Sequence, residues 1–573
     1  MFQWFKRVLP VVTALALMTA PAFAASVLHR GNGAEPDTLD PNLAQGTWEN
    51  HIIGDMIIGL YTEDVNGEPI YGAAVSHTVS DDGLVWTFKL RDMTWSDGAP
   101  VTADDFIYSW QRILNPQTAA QYASLIATEI KGGLDILEGR AGPEALGARA
   151  IAAKTLEITL THPAPYLPQL LAHQTTFPIP KHVVEQFGRD WVKAGNYVTN
   201  GAYVLAEWVP NDYVHLVKNP LFYDADNVKI DEVYYYPTSD TSAALKRFRA
   251  GELDMQDGLT SQDIAWLKEN MPGSLFLKPY LAVSYISMNT IRPPYTDVRV
   301  REALNLAFDR DTIATKVLQF EEPAAYGLTP PGTAGTNGAV MAFKDMPYEA
   351  RVARAQELMR EAGFGPDNRL KARFEIGPSP DNKRVGAAVQ QMWKAIYVDI
   401  ELQASESKVL YDLLREGDFD LAQAAWVGDY NDAKNFLFLY RTDSKDMNYG
   451  KWSNATFDQL MFDADQTADG TARAAILSRA EQIMLDDYAF IPNRFLNVRH
   501  VVQPWVKGYV TNMRDVNRTR WMSIDRPATG PEAAPSSAGG QPGGETALAE
   551  QSFWDWLMAL ICSWTGLFCS ASS

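Results

Sequence analysis

The sequence predicts a mixed α/β protein built from more than one lobe, and three observations carry the prediction. The chain has 573 residues, 46% of them hydrophobic, whereas a single core rarely organises more than roughly 250–300 residues. Stretches in which β-branched and aromatic residues recur at period two are interspersed with stretches of helical spacing, without a strict strand–helix–strand rhythm. No cysteine occurs between residues 25 and 552, so the body is held by its cores and not by disulfides.

In chain order, "MFQWFKRVLPVVTALALMTAPAFA" has a basic start, an apolar stretch from Val8 to Met18 and a small-x-small ending at Ala22-Phe23-Ala24. It reads as a secretory signal over residues 1–24, cleaved after Ala24. The apolar stretch is shorter than the ~20 residues of a membrane span, and no cysteine follows it to accept a lipid, so the expected location is a Gram-negative periplasm. "LVWTFKLR" (84–91) and "DEVYYYPT" (231–238) alternate as strands do. "TADDFIYSWQRIL" (102–114) predicts a helix with Thr102 as N-cap, acids in the first turn and Phe106, Trp110, Ile113 and Leu114 on one face. "DVRVREALNLAFDRDTIATKVL" (297–318) begins with Asp297 and carries apolar residues at helical spacing, which reads as helix. After Arg526 the composition turns to Pro, Gly, Ser and Ala, which predicts a flexible linker over 527–552. The apolar segment 553–573 contains Asp555 and reads either as an interfacial anchor or docking segment or as an appendage without assigned function. Cys562 and Cys569, if on one helix, stand roughly 10.5 Å apart along its axis, beyond the ~7 Å limit on Cα separation for a disulfide.

Charge and motifs narrow the function. The net charge is −20, and −22 once Lys6 and Arg7 leave with the leader, which makes nucleic acid and anionic membranes poor partners. The sequence contains no GxSxG, HExxH, CxxC, P-loop or GxGxxG motif. Its eight histidines form no i, i+4 pair, so neither a metal site nor a cofactor is expected. Acid pairs such as Asp104-Asp105 suit helix starts better than catalysis, because adjacent residues on a helix point about 100° apart. The 16 Trp, 24 Tyr and 24 Phe offer rigid apolar walls with polar edges, suited to ligand pockets as well as to cores. Together these favour binding over catalysis.

The block "VSDDGLVWTFKLRDMTWSDGAPVTADDFIYSWQRILNP" (79–116) resembles the signature region of the family 5 extracellular solute-binding proteins, specifically the periplasmic oligopeptide-binding proteins of ABC importers. "VTNGAYVL" (198–205), "ALKRFRAGELDM" (244–255), "PPYTDVRVREALNLAFDRD" (293–311) and "QPWVKGY" (503–509) follow in family order. The resemblance implies a periplasmic-binding-protein-like α/β fold in three domains. A discontinuous lobe I comprises 25–56, 181–284 and 497–526, an extra domain II spans 57–180, and lobe III spans 285–496. It implies a monomeric non-enzyme that captures peptides between closing lobes and delivers them to an ABC permease.

In "AWVGDYNDAKNFL" (425–437), the W-x-x-D-Y match implies that Asp429 pairs with the ligand's α-ammonium while Trp426 walls the pocket. The other reading of Asp429 is a loop carboxylate capping a turn. The resemblance also places Tyr285, His173 and Gln423 at the ligand. The family's basic positions for peptide carboxyl ends fall on Leu318, Leu414 and Gln423, and a histidine position falls on Asn382. Two acidic side-pocket positions are Gln45 and Ser287. The carboxylate clamp is thus expected to be missing, with Arg415 a substitute only if its loop shifts register. Other cargo for the same fold, such as a cell-wall peptide, an opine-like amine, a metal chelate or haem, stays open. A secreted hydrolase would need a nucleophile and base that the sequence does not display.

Overall fold

A computed structural model describes residues 25–444 and 447–526; the leader, the linker and the apolar segment with its two cysteines lie outside the described residues. Three hydrophobic cores organise the chain. The first gathers Leu28 to Ile58, Phe177 to Met255 and Val502 to Met522. The second runs from Leu60 to Ala172 and also takes in Tyr430. The third gathers side chains between Tyr236 and Val501. Helices Thr241–Ala250 and Ser261–Asn270 fall within the range expected for lobe I, yet Leu245, Phe248, Ile264 and Leu267 join the third core.

One mixed ten-stranded sheet runs through the first and third cores. Its centre is an antiparallel pair of unusually long strands, Leu275–Met288 and Phe490–Val502. Ala282 to Met288 pair with the third-core strand Leu421–Val427, while Val501 and Val502 pair with the first-core strand Met255–Asp257. Each long strand therefore passes from one lobe to the other. Their register breaks between Pro279 and Val283, where Pro279 supplies no N–H for the ladder.

The second core is covered by a four-stranded antiparallel sheet containing Val85–Leu90, together with the helix Ala103–Leu114. This helix follows the sequence reading. Thr102 N donates to Asp105 Oδ2 at 2.8 Å, closing a capping box, and Phe106, Trp110, Ile113 and Leu114 are fully buried. The 297–318 segment departs from it. Asp297 caps a helix that ends at Ala307, and a second helical stretch starts at Arg310 behind its own cap, Asp309. The reason is Arg310, which is wholly buried and donates to the carbonyls of Asn305, Phe308 and Pro492. It satisfies the helix end where spacing alone predicts continuation.

Candidate ligand-binding site

The site grows from the end of strand Leu421–Val427. At Gly428 the chain passes so close to Leu281 that a β-carbon would lie 2.7 Å from its side chain, which requires glycine there. The next residue, Asp429, is buried. Asn435, fully buried in the helix Lys434–Leu437, organises the loop. Its Oδ1 accepts from the Asp429 N–H at 2.9 Å and from Trp426 Nε1 at 3.0 Å, and its Nδ2 donates to Asp429 Oδ2 at 3.1 Å. Arg514, entering from the first lobe's return, donates to the Asp429 carbonyl at 3.0 Å. The second core supplies the opposite side: His173 Nε2 lies 3.5 Å from Asp429 Oδ1, and its ring stacks on Tyr122 at 5.9 Å.

Burial dominates the electrostatics. It raises the Asp429 carboxyl to about 7 and lowers His173 to about 3, so the histidine is a neutral neighbour. The lysine in the same loop is committed elsewhere. Lys434 Nζ lies 3.0 Å from Glu129 and 2.9 Å from Asp465, with His162 and Tyr166 completing its shell. Among the described residues, no lysine or arginine side chain forms an ion pair with Asp429. Tyr430 stacks on Tyr166 at 4.6 Å, so the loop is clasped against the second core by ring and charge together.

Asp429 faces a cavity of about 680 Å³. Trp48, Tyr122, Tyr280, Tyr411, Trp426 and Tyr449 supply aromatic surface, and the wall draws on chain segments between residues 37 and 51, 121 and 174, 407 and 449, and 514 and 516. The volume lies in the range of small-ligand pockets.

The chain's relatives agree with this architecture. Residues 41–448 match the profile described as "Bacterial extracellular solute-binding proteins, family 5 Middle". The periplasmic oligopeptide-binding protein OppA of Escherichia coli is 38% identical over 486 residues, 84% of this chain and 89% of that protein. The chain is a family 5 bacterial extracellular solute-binding protein. Among solved structures of the family, Haemophilus influenzae OppA in complex with RPPGFSPFR matches with TM-score 0.83 and 33% identity, over 88% of this chain and 100% of that one. The E. coli murein tripeptide-binding protein MppA matches with TM-score 0.84 and 35% identity, over 88% and 99%. Against an unliganded open form of MppA the TM-score falls to 0.68, with 35% identity over 88% and 98%.

Of the residues expected at the ligand, Asp429, Trp426 and His173 share the cavity wall, whereas Tyr285 and Gln423 are not part of it. Tyr285 is 2% exposed, packs edge-on to Phe490 and belongs to the third core. Gln423 donates to Asn382 at 2.9 Å, so two departures from the family pattern satisfy each other. Leu318 and Leu414 are buried in the third core, and Gln45 reaches the cavity while Ser287 is buried away from it. Arg415 needs no register shift. It lies on the helix Ser407–Glu416, one residue and ~100° beyond Leu414, and lines the cavity. Sequence reasoning missed Asn435, Tyr122 and Arg514. For Asn435 a signal existed, an amide six residues after the candidate acid at a helix start.

Proposed function

We propose that this protein is an extracytoplasmic, monomeric peptide receptor of an ABC-type importer, exported by its residue 1–24 leader. In this reading, lobe I (25–56, 181–284 and 497–526) and lobe III (285–496) close over an oligopeptide about the two long strands, beside the extra domain 57–180. The carrying observation is Asp429: a buried carboxyl on the wall of a large aromatic-lined cavity, with no lysine or arginine side chain in an ion pair with it among the described residues. A peptide's α-ammonium fits that position. It supplies the missing cation and makes charge-assisted hydrogen bonds inside a cleft from which water is excluded. Trp426 and Tyr122 wall the entry, and main-chain groups of the ligand supply further hydrogen bonds without specifying its sequence.

The relatives' names support the same class, since OppA binds oligopeptides and MppA a murein tripeptide. A cell-wall peptide is the second reading, favoured by the MppA likeness and equally served by an amine anchor. The protein binds its cargo and leaves it chemically unchanged. Mass spectrometry of ligand released by denaturing protein purified from the periplasm tests the proposal, together with incubation of the protein with peptides. Co-purified peptides that are returned intact support it. A cargo without an amine, or cleavage products, overturns it.

A further inference from the structure

A second cavity, of about 280 Å³, lies where five stretches of the chain meet: the turn 66–68, Gln169, Lys278 and Pro279 of the long strand Leu275–Met288, Asn431, and residues 511–514 of the return. Local chemistry fixes its walls. Asp64 Oδ1 accepts from the N–H groups of Asn66 at 2.8 Å and Glu68 at 3.0 Å, which ties the turn into one shape. Gly67 has φ +79° and passes so close to Asn512 that a β-carbon would lie 2.7 Å from its Oδ1, so glycine is required on both counts. Asn512 in turn accepts from the N–H groups of Arg514 and Val516 and donates to the Val516 carbonyl. The volume falls just below the roughly 300–1,000 Å³ of pockets for drug-sized ligands, so the cavity suits a smaller molecule.

The charged groups of this cavity are Lys278, Glu68 and Arg514. Arg514 is committed: Nη1 donates to the Gly67 carbonyl at 3.5 Å and Nη2 to the Asp429 carbonyl at 3.0 Å, with Glu63 3.7 Å away. Lys278 and Glu68 are exposed, and among the described residues neither side chain forms an ion pair, with the other or with a third group. Two amides add donors. Gln169 Oε1 accepts from the Asn431 N–H and Asn431 Oδ1 from the Ala334 N–H at 3.1 Å, so both amide oxygens are used while neither NH2 group has an acceptor among the described residues. A cation, an anion and two amide donors that share one small cavity without pairing complement a ligand carrying both charges at once. The cavity also touches the site already described, because Arg514 lines both and Asn431 follows Asp429 by two residues.

We infer that this second cavity binds a small zwitterion of the size of a free amino acid, and that its occupancy raises the affinity for peptide. The carboxylate goes to Lys278 and the amides of Gln169 and Asn431, and the ammonium to Glu68. An occupant gathers the turn 66–68, the long strand and the Asp429 loop, and so selects the arrangement in which Asp429 and Arg514 stand in the wall of the larger cavity. By linkage, peptide raises the affinity for the amino acid by the same factor. The coupling rests on the peptide-receptor reading, whereas the site itself does not.

Equilibrium dialysis of the purified protein against radiolabelled glycine, alanine and glutamate tests the site, with a free-amine peptide at saturation so that the larger cavity is filled. Acetate and methylamine, each carrying one of the two charges, are the controls. At least one of the amino acids is expected to bind once per chain, tenfold or more tighter than either control, and to tighten peptide binding threefold or more in calorimetry. Lys278→Met and Glu68→Gln, both at exposed side chains, are each expected to weaken that amino acid tenfold or more and to leave peptide affinity, measured without amino acid, within twofold of wild type. Acetate bound as tightly as the amino acids overturns the zwitterion. No binding at millimolar concentration, or binding that both variants retain, overturns the site. Binding lost in both variants but without effect on peptide affinity overturns the coupling. If no peptide binds, the receptor reading falls; the dialysis is then read without peptide, where loss in both variants supports the site and retention overturns it.

Discussion

With Asp429 as the proposed partner of the ligand's ammonium, binding is linked to the protonation of its carboxyl. Burial in the cavity wall raises its carboxyl to about 7, against 3.8 for the same group in water. That difference corresponds to ~4 kcal/mol in favour of the protonated form, as an upper figure for a buried group. The folded, closed state therefore binds more protons than an open or unfolded one between pH ~4 and ~7. Its stability falls as pH rises through that window and is flat above it. At neutral pH and above, keeping an ionised Asp429 buried without a cation carries this penalty. A ligand ammonium cancels the penalty and selects the closed state. Because the ammonium is proposed to bind the ionised carboxylate, affinity for a free-amine peptide should fall with pH below 7, approaching about tenfold per unit, and so by about 50-fold between pH 7 and 5. It should level off above 7 until the peptide's own amine, near 7.7–8.0, begins to lose its proton. Calorimetry from pH 5 to 8, in buffers of different ionisation enthalpy, reads both the affinity and the proton released. Asp429→Asn should flatten the profile, abolish the proton release, and leave the ligand-free protein more stable than wild type at pH 8 but not at pH 4. A wild-type affinity that does not change between pH 5 and 7, or the same profile in Asp429→Asn, would refute the reasoning.

Three further outcomes are expected. Lys434→Met strands Glu129 and Asp465 in the buried cluster that clasps the loop, so thermal or denaturant unfolding should show a loss of about 3–5 kcal/mol; a loss under ~1 kcal/mol would contradict the clasp. Asn435→Ala removes partners from Trp426 Nε1 and from both the N–H and carboxylate of Asp429. It should cost about 2 kcal/mol or more in stability and weaken free-amine peptides at least tenfold by calorimetry, and retained affinity would show that the anchor needs no such support. Deleting 527–573 should leave ligand affinity within tenfold, ~1.4 kcal/mol, because the cavity wall is drawn from residues 37–516; a larger loss would show that the tail contributes to binding.

Much of the fold was legible because local and global signals agree in it. The capping box at Thr102 and the buried stripe of Phe106, Trp110, Ile113 and Leu114 follow from spacing alone. The run 297–318 misleads because helical periodicity says nothing of a buried arginine such as Arg310, whose partners include Pro492, far along the chain. The site divides in the same way. Asp429, Trp426 and His173 reach the cavity as the family pattern implies. Tyr285 and Gln423 sit on strands whose neighbours absorb their side chains, Phe490 for one and Asn382 for the other, and such partners are invisible in one sequence. Arg415 shows the limit of position-by-position comparison. A residue beside a lost family position is not a shifted copy of it: on a helix the next residue looks ~100° away, and here that direction is the cavity.

The most direct test of the account compares a free-amine peptide with its N-acetylated form on wild type and on Asp429→Asn at pH 7.5. The account predicts that acetylation costs wild type about 2 kcal/mol or more, roughly 30-fold in affinity. It predicts that Asp429→Asn loses a similar amount on the free-amine peptide and binds the acetylated one as wild type does. Undiminished affinity of Asp429→Asn for the free-amine peptide would contradict the reading of Asp429 as the site of the ligand's amine.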